Sequence, residues 1–281
     1  MLNQDRVLSL AIAALKNQPS GLITDVDGTI SRIAPSPEQA QVSLACRHAL
    51  AALRRRLALV AVVSGRAAES ARRLVGVPGL TYVGNHGLEM GLGAAGEGEV
   101  LPEARAYETA IAVALNEVAL HTARLKGVRL ESKGVTASVH YRLAEDPAAA
   151  RRAILRSLAA SPAARRLSLR EGRMVVELTP PVAADKGTAV TALLRRHGLR
   201  GAVYLGDDVT DVAAFRALHA WRRETGGNAL AIAVASAEAP ETVMRDADLQ
   251  LAGVAEVEAL LSHLATELPP LPRARRREHS G

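Results

Sequence analysis

Gly21-Leu22-Ile23-Thr24-Asp25-Val26-Asp27-Gly28-Thr29-Ile30 carries a short apolar run into two carboxylates one residue apart, and then into a glycine turn. The run reads as a buried strand that ends in a reactive loop. Alternation along a strand points Asp25 and Asp27 to the same side, with the glycine turn swinging the second away from the first. An aspartate ionised at neutral pH can attack phosphorus to give an aspartyl-phosphate, and a second one with a raised pKa can protonate the leaving oxygen. Gly28 admits close approach of backbone to a phosphate, and the Thr29 hydroxyl can donate to it. Read alone, the same residues also suit an ordinary turn.

Other strand ends repeat the pattern. Residues 57–63 form a continuous apolar run that stops at Ser64-Gly65-Arg66, and Leu80-Thr81-Tyr82-Val83 leads into Gly84-Asn85-His86-Gly87-Leu88-Glu89. Continuous apolar runs belong to parallel sheets buried on both faces, and in open α/β sheets the site lies beyond the carboxyl ends of the strands. The Ser64 hydroxyl and the N–H groups after it can hold a phosphate, or simply cap a helix. Asn85 and His86 suit a turn or a ligand contact. Asp185-Lys186-Gly187 opens a helix to residue 196, where a lysine can neutralise phosphate, although read alone it better suits an ordinary surface lysine. Residues 202–205 end in Gly206-Asp207-Asp208-Val209-Thr210-Asp211. Carboxylates there suit Mg²⁺, a hard ion that takes one or two of them plus substrate phosphate, while Asp208 or Thr210 can also cap a helix.

Texture changes between residues 102 and 181. Helical spacing runs over residues 103–124 and 147–160, each followed by a hairpin. One pairs residues 128–132 with 137–142 around Lys133-Gly134, the other pairs 167–170 with 174–178 around Glu171-Gly172. The order αββαββ reads as an inserted α+β cap. It carries Glu131, Lys133, His140, Arg142 and Glu177, a mix that suits a polyhydroxylated ligand as well as a solvated sheet face. Helical spacing is also present over residues 37–55, and the final strands and helix fall over residues 230–234, 248–251 and 254–264.

At 281 residues and 48% apolar, the chain can bury a large core. Cys46 is the lone cysteine, which fits a reducing compartment and excludes an intrachain disulfide. Residues 7–15 are apolar but short and bracketed by charge, so they read as a first helix of a soluble, cytoplasmic protein with no membrane contact. The net charge of +6 owes part of its excess to Arg273, Arg275, Arg276 and Arg277 in a tail expected to be disordered, and aromatic residues make up only 2%. Neither feature points to nucleic acid. Of 35 Lys and Arg residues only Lys16, Lys126, Lys133 and Lys186 are lysines, and two of these occupy motif positions.

Asp-x-Asp-Gly-Thr, a serine after the second strand, a lysine after an insertion and Gly-Asp-Asp-x-x-Asp together resemble the haloacid dehalogenase superfamily of phosphotransferases. The resemblance implies Asp25 as nucleophile, Asp27 as general acid and base, and Ser64 and Lys186 on phosphate. It implies Mg²⁺ on Asp25, Asp207 and the Asp27 carbonyl, with Asp208 and Asp211 supporting the metal or Lys186. Within the superfamily, Ser64-Gly65-Arg66, Gly84-Asn85-His86-Gly87, Glu131-Ser132-Lys133-Gly134, His140-Tyr141-Arg142 and Val176-Glu177-Leu178 resemble the trehalose-6-phosphate phosphatase family over residues 20–260. In that family the residues matching Glu131, Lys133 and Glu177 grip the sugar, near the Asn-His-Gly loop.

The fold expected is therefore α/β: a Rossmann-like parallel-sheet core (1–101 and 182–267), the α+β cap (102–181) and a basic tail (268–281), with Gly91, Gly93, Gly96, Gly98 and Pro180-Pro181 as boundary points. The resemblance implies a phosphatase that hydrolyses trehalose 6-phosphate with Mg²⁺ through an aspartyl-phosphate, and the chain is expected to be monomeric and to work beside a trehalose-6-phosphate synthase. Val26, Thr179 and Val212 depart from the family pattern and leave the sugar open. Another sugar-phosphate phosphatase, a phosphomutase, and a non-catalytic sugar-phosphate sensor or accessory subunit are the other readings.

Overall fold

Leu22 and Ile23 are both fully buried, yet each packs into a different apolar cluster, because neighbouring strand residues point to opposite faces. The same division runs through the whole central sheet. The computed structural model describes residues 2–34, 36–91, 99–172, 174–235 and 241–271. In chain order they form α1 (Leu2–Leu15), β1 (Ser20–Thr24), α2 (Leu44–Leu53), β2 (Leu59–Val63), α3 (Ala68–Val75), β3 (Thr81–Gly84), β4 (Glu89–Met90), β5 (Glu99–Val100), α4 (Pro102–Arg105), α5 (Glu108–Thr122), β6 (Arg129–Ser132), β7 (Ala137–His140), α6 (Pro147–Ala160), β8 (Ser168–Gly172), β9 (Val175–Thr179), α7 (Lys186–Arg196), β10 (Gly201–Gly206), α8 (Val209–Thr225), β11 (Asn228–Val234), α9 (Glu241–Asp246), β12 (Leu249–Leu251) and α10 (Val254–Glu267).

The large sheet has the order β12-β11-β10-β1-β2-β3-β4-β5. Its first six strands are parallel, and β4 and β5 add an antiparallel edge. Leu22, Val60, Val62, Val203 and Leu205 pack toward α1, α2, α3 and α10, while Ile23, Ala61, Val63, Ala202 and Tyr204 pack toward α7 and α8. Burial on both faces explains the continuous apolar runs. From β1 the chain steps outward through β2 and β3, then returns after the insertion to lay β10 on the other side of β1. The strand order therefore reverses between β1 and β10, and in open α/β sheets ligands bind beyond the carboxyl ends of the strands at such a reversal. Thr24 pairs with Val62 and Leu205, so Ser64 and Asp207 emerge at one level, one residue beyond Asp25.

The insertion builds a second, antiparallel sheet of order β6-β7-β9-β8. Its inner strands bury Ala137, Val139, Val176 and Leu178 against Ile111, Val118, Ile154 and Leu158 of α5 and α6. Alternation then puts Glu131, Ser138, His140 and Glu177 on the opposite face. Where the insertion leaves and rejoins the core, Leu88, Ala104 and Val135 form a small apolar seam with Leu101, Val182 and Ala184 packed on it.

Several elements differ from expectation. The helix expected over 37–55 begins only at Leu44, because Ala40 and Val42 are buried in extended backbone and Ser43 caps α2 by accepting the Cys46 N–H. The helix expected over 103–124 breaks between α4 and α5. Ala104 belongs to the seam, whereas Ala110 and Ile111 belong to the second core, and one straight axis cannot serve both. The second hairpin closes between Gly172 and Val175 rather than at Glu171-Gly172. That register sets Arg170 opposite Glu177 and leaves Met174 with φ of 61°. Residues 268–271, placed in the tail, are held on the core: Leu268 is buried, its carbonyl accepts from Arg56, and the Leu271 N–H donates to the Arg55 carbonyl. The arginines Arg273, Arg275, Arg276 and Arg277 and the boundary glycines Gly93, Gly96 and Gly98 lie outside the described residues. Among those described, no helix is long and apolar enough to cross a membrane.

Candidate active site

Lys186 is the first residue of α7, whose N-terminus is closed by Asp185 accepting the Thr188 N–H. A cation is unfavourable at a helix N-terminus, and a side chain only 2% exposed needs a partner. Lys186 has two: Nζ lies 2.8 Å from Asp211 Oδ1 and 3.0 Å from Asp25 Oδ1. Burial works against its charge, but Asp211 and Asp25 outweigh it and hold the ammonium well above the ordinary lysine range.

Asp211 is saturated. Its Oδ1 also accepts from Tyr204 Oη at 2.6 Å, and its Oδ2 accepts the backbone N–H groups of Asp207 and Asp208 at 3.1 and 3.0 Å. It therefore knots the loop after β10 to the start of α8 while fixing Lys186. Tyr204 is the lone polar side chain in an apolar stretch of β10, packed edge-on against Phe215. It was not among the expected site residues, although a tyrosine in a doubly buried strand signals a buried acceptor.

Asp207 is buried too, and accepts from Thr29 Oγ1 at 2.9 Å. The Thr29 hydroxyl, expected to donate to phosphate, is thus directed at an acid. Gly28 stands against the same carboxylate: its φ is 85°, and a Cβ there would fall 1.9 Å from Asp207 Oδ2. Glycine is required on both counts. Burial, then Asp211, push Asp207 up to about 7, against the pull of Thr29 and Lys186. Burial also raises Asp25 well above the usual carboxylate range, with Lys186 opposing and Asp211, Asp207 and Asp27 reinforcing.

Carboxylate oxygens of Asp25, Asp207 and Asp211 all lie within 4.8 Å of one another. Three buried acids against one lysine leave an excess of negative charge and an all-oxygen donor set, which can hold a metal ion and suits a hard cation. With Asp211 already accepting four hydrogen bonds, the free coordination capacity sits on Asp25 and Asp207. Asp208 is exposed, caps α8 and accepts from Thr210, so its side chain is not in this group.

Asp27 and Asp25 have different cationic partners: Lys186 contacts Asp25, whereas Arg66 grips Asp27 with Nε and Nη2 at 2.6 and 2.7 Å. Arg66 also donates to the Pro37 carbonyl, and its N–H donates to Ser64 Oγ. Ser64 is buried, and among the described residues its hydroxyl accepts from Arg66 and finds no acceptor of its own. Gly65 leaves room for the His86 ring, which would lie 2.6 Å from a Cβ. Burial and the nearby Lys186, Lys133 and Arg170 push the His86 pKa down to about 3, so the imidazole is neutral. Its Nδ1 is buried without a hydrogen-bond partner among the described residues.

From the second sheet, Lys133 reaches across to the Gly65 carbonyl at 3.3 Å and lies 4.0 Å from Glu131. Glu131 is 3.0 Å from His140. Burial would raise Glu131, but His140 and Lys133 outweigh it and keep the carboxylate ionised. Glu177 stands between Ser138 and Arg170 on the same face. Arg142 does not join them; it is exposed in the turn after β7. Asn85, expected to touch substrate, is buried with both ends of its amide engaged by the hairpin turn of the insertion, through Lys133 and Thr136.

The chain matches the trehalose-phosphatase family model over residues 23–253. A trehalose-phosphate phosphatase of Mycobacterium avium is 38% identical over 203 residues, covering 69% of this chain and 50% of that protein. A probable trehalose-phosphate phosphatase D of Arabidopsis thaliana is 29% identical, covering 73% of this chain and 58% of that protein. The chain thus spans about half the length of these relatives. Among solved structures, the trehalose-6-phosphate phosphatase C-terminal domain of C. albicans superposes with a TM-score of 0.75 at 22% identity, covering 94% of this chain and 97% of that one, a likeness in fold.

Proposed function

The chain belongs to the trehalose-phosphatase family, and from that premise we propose that it hydrolyses trehalose 6-phosphate to trehalose and phosphate through an aspartyl-phosphate on Asp25. The observation that carries the reading is the buried Asp25–Lys186–Asp211 contact beside Asp207, at the reversal between β1 and β10. We read residues 1–101 and 182–267 as the core and 102–181 as a cap whose polar face closes on the sugar. Cytoplasmic location, a monomeric state and a trehalose-6-phosphate synthase partner belong to the same proposal.

In the first step Asp25 forms an O–P bond as the P–O bond to the sugar breaks, and Asp27 delivers a proton to the departing hydroxyl. In the second, water attacks phosphorus, Asp27 takes its proton, and phosphate leaves with Asp25 restored. Asp27 must exchange Arg66 for the reacting oxygen, so Arg66 is released as the site fills. Lys186 and the Ser64 hydroxyl neutralise and orient the phosphoryl oxygens. Asp25, Asp207 and the Asp27 main-chain carbonyl would hold Mg²⁺, which supplies charge stabilisation at the phosphoryl group. Glu131, Lys133 and Glu177 are the sugar contacts. A sensor would have no use for a nucleophile beside an acid, which disfavours the non-catalytic reading.

Phosphate release from trehalose 6-phosphate with Mg²⁺, beside glucose 6-phosphate and sucrose 6-phosphate, tests this. Strong preference for the first is expected; turnover of another sugar phosphate alone would move the error to the cap, and no turnover of any would overturn the proposal. A thermal melt gives a separate check. Mg²⁺ is expected to raise Tm over chelator, because it relieves buried negative charge. Protonation of Asp207, which faces Asp211, Asp25 and Lys186, competes with that binding. Mg²⁺ affinity should therefore fall on acidification through about 7, by ~10-fold per pH unit or more because the Asp25 carboxyl is raised as well. The Mg²⁺-dependent rise in Tm, taken as a difference, cancels the opposing titration of His86; a rise that grows on acidification would refute the assignment.

A further inference from the structure

We propose that Thr136, buried at the seam, is a positioning residue that sets Lys133 over the active site through Asn85. Three hydrogen bonds close a ring across the seam. The Lys133 N–H donates to the Thr136 carbonyl at 2.9 Å, Thr136 Oγ1 donates to Asn85 Oδ1 at 2.5 Å, and Asn85 Nδ2 donates to the Lys133 carbonyl at 3.0 Å. The first closes the hairpin turn between β6 and β7, and the other two tie that turn to the loop after β3. Asn85 can face only one way, since flipping its amide would set oxygen against the Lys133 carbonyl.

The ring is buried and braced. Asn85 is 0% exposed and Thr136 is 5% exposed. Asn85 and His86 both hold left-handed backbone, with φ of 49° and 57°, which asparagine tolerates and which surrounding contacts must maintain. Glu89 interacts with Asn85 while its Oε2 accepts the Ala68 N–H at 2.6 Å. Next to Thr136, Val135 is buried in the apolar seam with Leu88. Lys133 is the residue whose backbone the ring holds at both its N–H and its carbonyl, and its side chain crosses to the Gly65 carbonyl. Orientation of that ammonium is therefore decided at the seam, by buried groups whose hydrogen bonds go to one another.

The inference rests on the reading of Lys133 as a sugar-phosphate contact, and the experiment separates the two. Steady-state kinetics are measured on whichever sugar phosphate the wild type turns over, for Thr136→Val, Thr136→Ser, Lys133→Ala and Thr136→Val/Lys133→Ala, well below each Tm. Valine keeps the volume and removes the hydroxyl, leaving the Asn85 oxygen buried and unpaired. KM is expected to rise about 5- to 20-fold in Thr136→Val with kcat within ~2-fold of wild type. Thr136→Ser should restore KM to within ~2-fold, and Thr136→Val should add nothing in the Lys133→Ala background. An unchanged KM, a serine variant as impaired as valine, or additive effects in the double variant would overturn the role of Thr136 while leaving Lys133 a substrate contact. A Lys133→Ala variant with wild-type KM would instead overturn the reading of Lys133, and this inference with it.

Discussion

Asp25→Asn is expected to lower turnover by about 10⁴-fold or more while leaving the protein folded. Asparagine matches aspartate in shape but has no anionic oxygen to bond phosphorus. Lys186 keeps its 2.8 Å contact to Asp211 and can still donate to the amide oxygen, so no charge is stranded. Because burial already disfavours the Asp25 carboxylate, the variant should melt at or slightly above the wild-type temperature in chelator, and should lose part of the Mg²⁺-dependent rise. Phosphate release and paired melts check both halves. Turnover near wild type would remove Asp25 from the chemistry, whereas a collapsed Tm would show that its charge is needed for folding.

Much of this site was legible because its motifs sit where doubly buried strands end. An apolar run that stops at charge or glycine can be read without knowing what it pairs with, and register then brings Asp25, Ser64 and Asp207 to within one residue of the same level. Lys186 was legible only in part: lysine is rare in this chain, but taken alone a lysine at a helix start reads as an ordinary surface residue, and its burial between two acids depends on contacts across the fold. Contacts made across the fold were not legible. Nothing local announces that Arg66 would grip Asp27, that Tyr204 would share Asp211 Oδ1 with Lys186, or that Asn85 would spend its amide on the insertion. Each depends on which elements become neighbours.

The misplaced boundaries have the same origin. Periodicity over residues 103–124 cannot reveal that Ala104 and Ile111 serve different cores. Gly172 reads as a turn residue until the pairing of Arg170 with Glu177 displaces the turn by two positions. Short antiparallel strands such as β4 and β5 fall below the length at which alternation is informative. Arg142 looked equivalent to His140 two residues before it, but β7 ends at His140 and the alternation ends with it.

Lys186→Met is expected to abolish activity and to destabilise the protein by about 3–5 kcal/mol, the usual penalty for removing one partner of a buried ion pair. Methionine fills much of the volume, so the loss is electrostatic rather than a cavity. Asp211 would keep Tyr204 and two backbone donors, but Asp25 would face Asp207 and Asp211 with no cation in contact. At ~2–4 °C per kcal/mol for a chain of this size, Tm in chelator should fall by roughly 6–20 °C. The acid cluster is then more negative by one charge, so Mg²⁺ should recover more of the melting temperature in Lys186→Met than it adds to the wild type. Activity should not return with it, because the phosphate still lacks its ammonium. Those two responses separate the roles of the lysine: neutralising the acids, which a divalent cation can share, and meeting the phosphoryl oxygens, which it cannot replace. A Lys186→Met protein that melts like wild type in chelator would mean that the buried carboxylates carry protons rather than charge, and the case for a resident cation would fall with it.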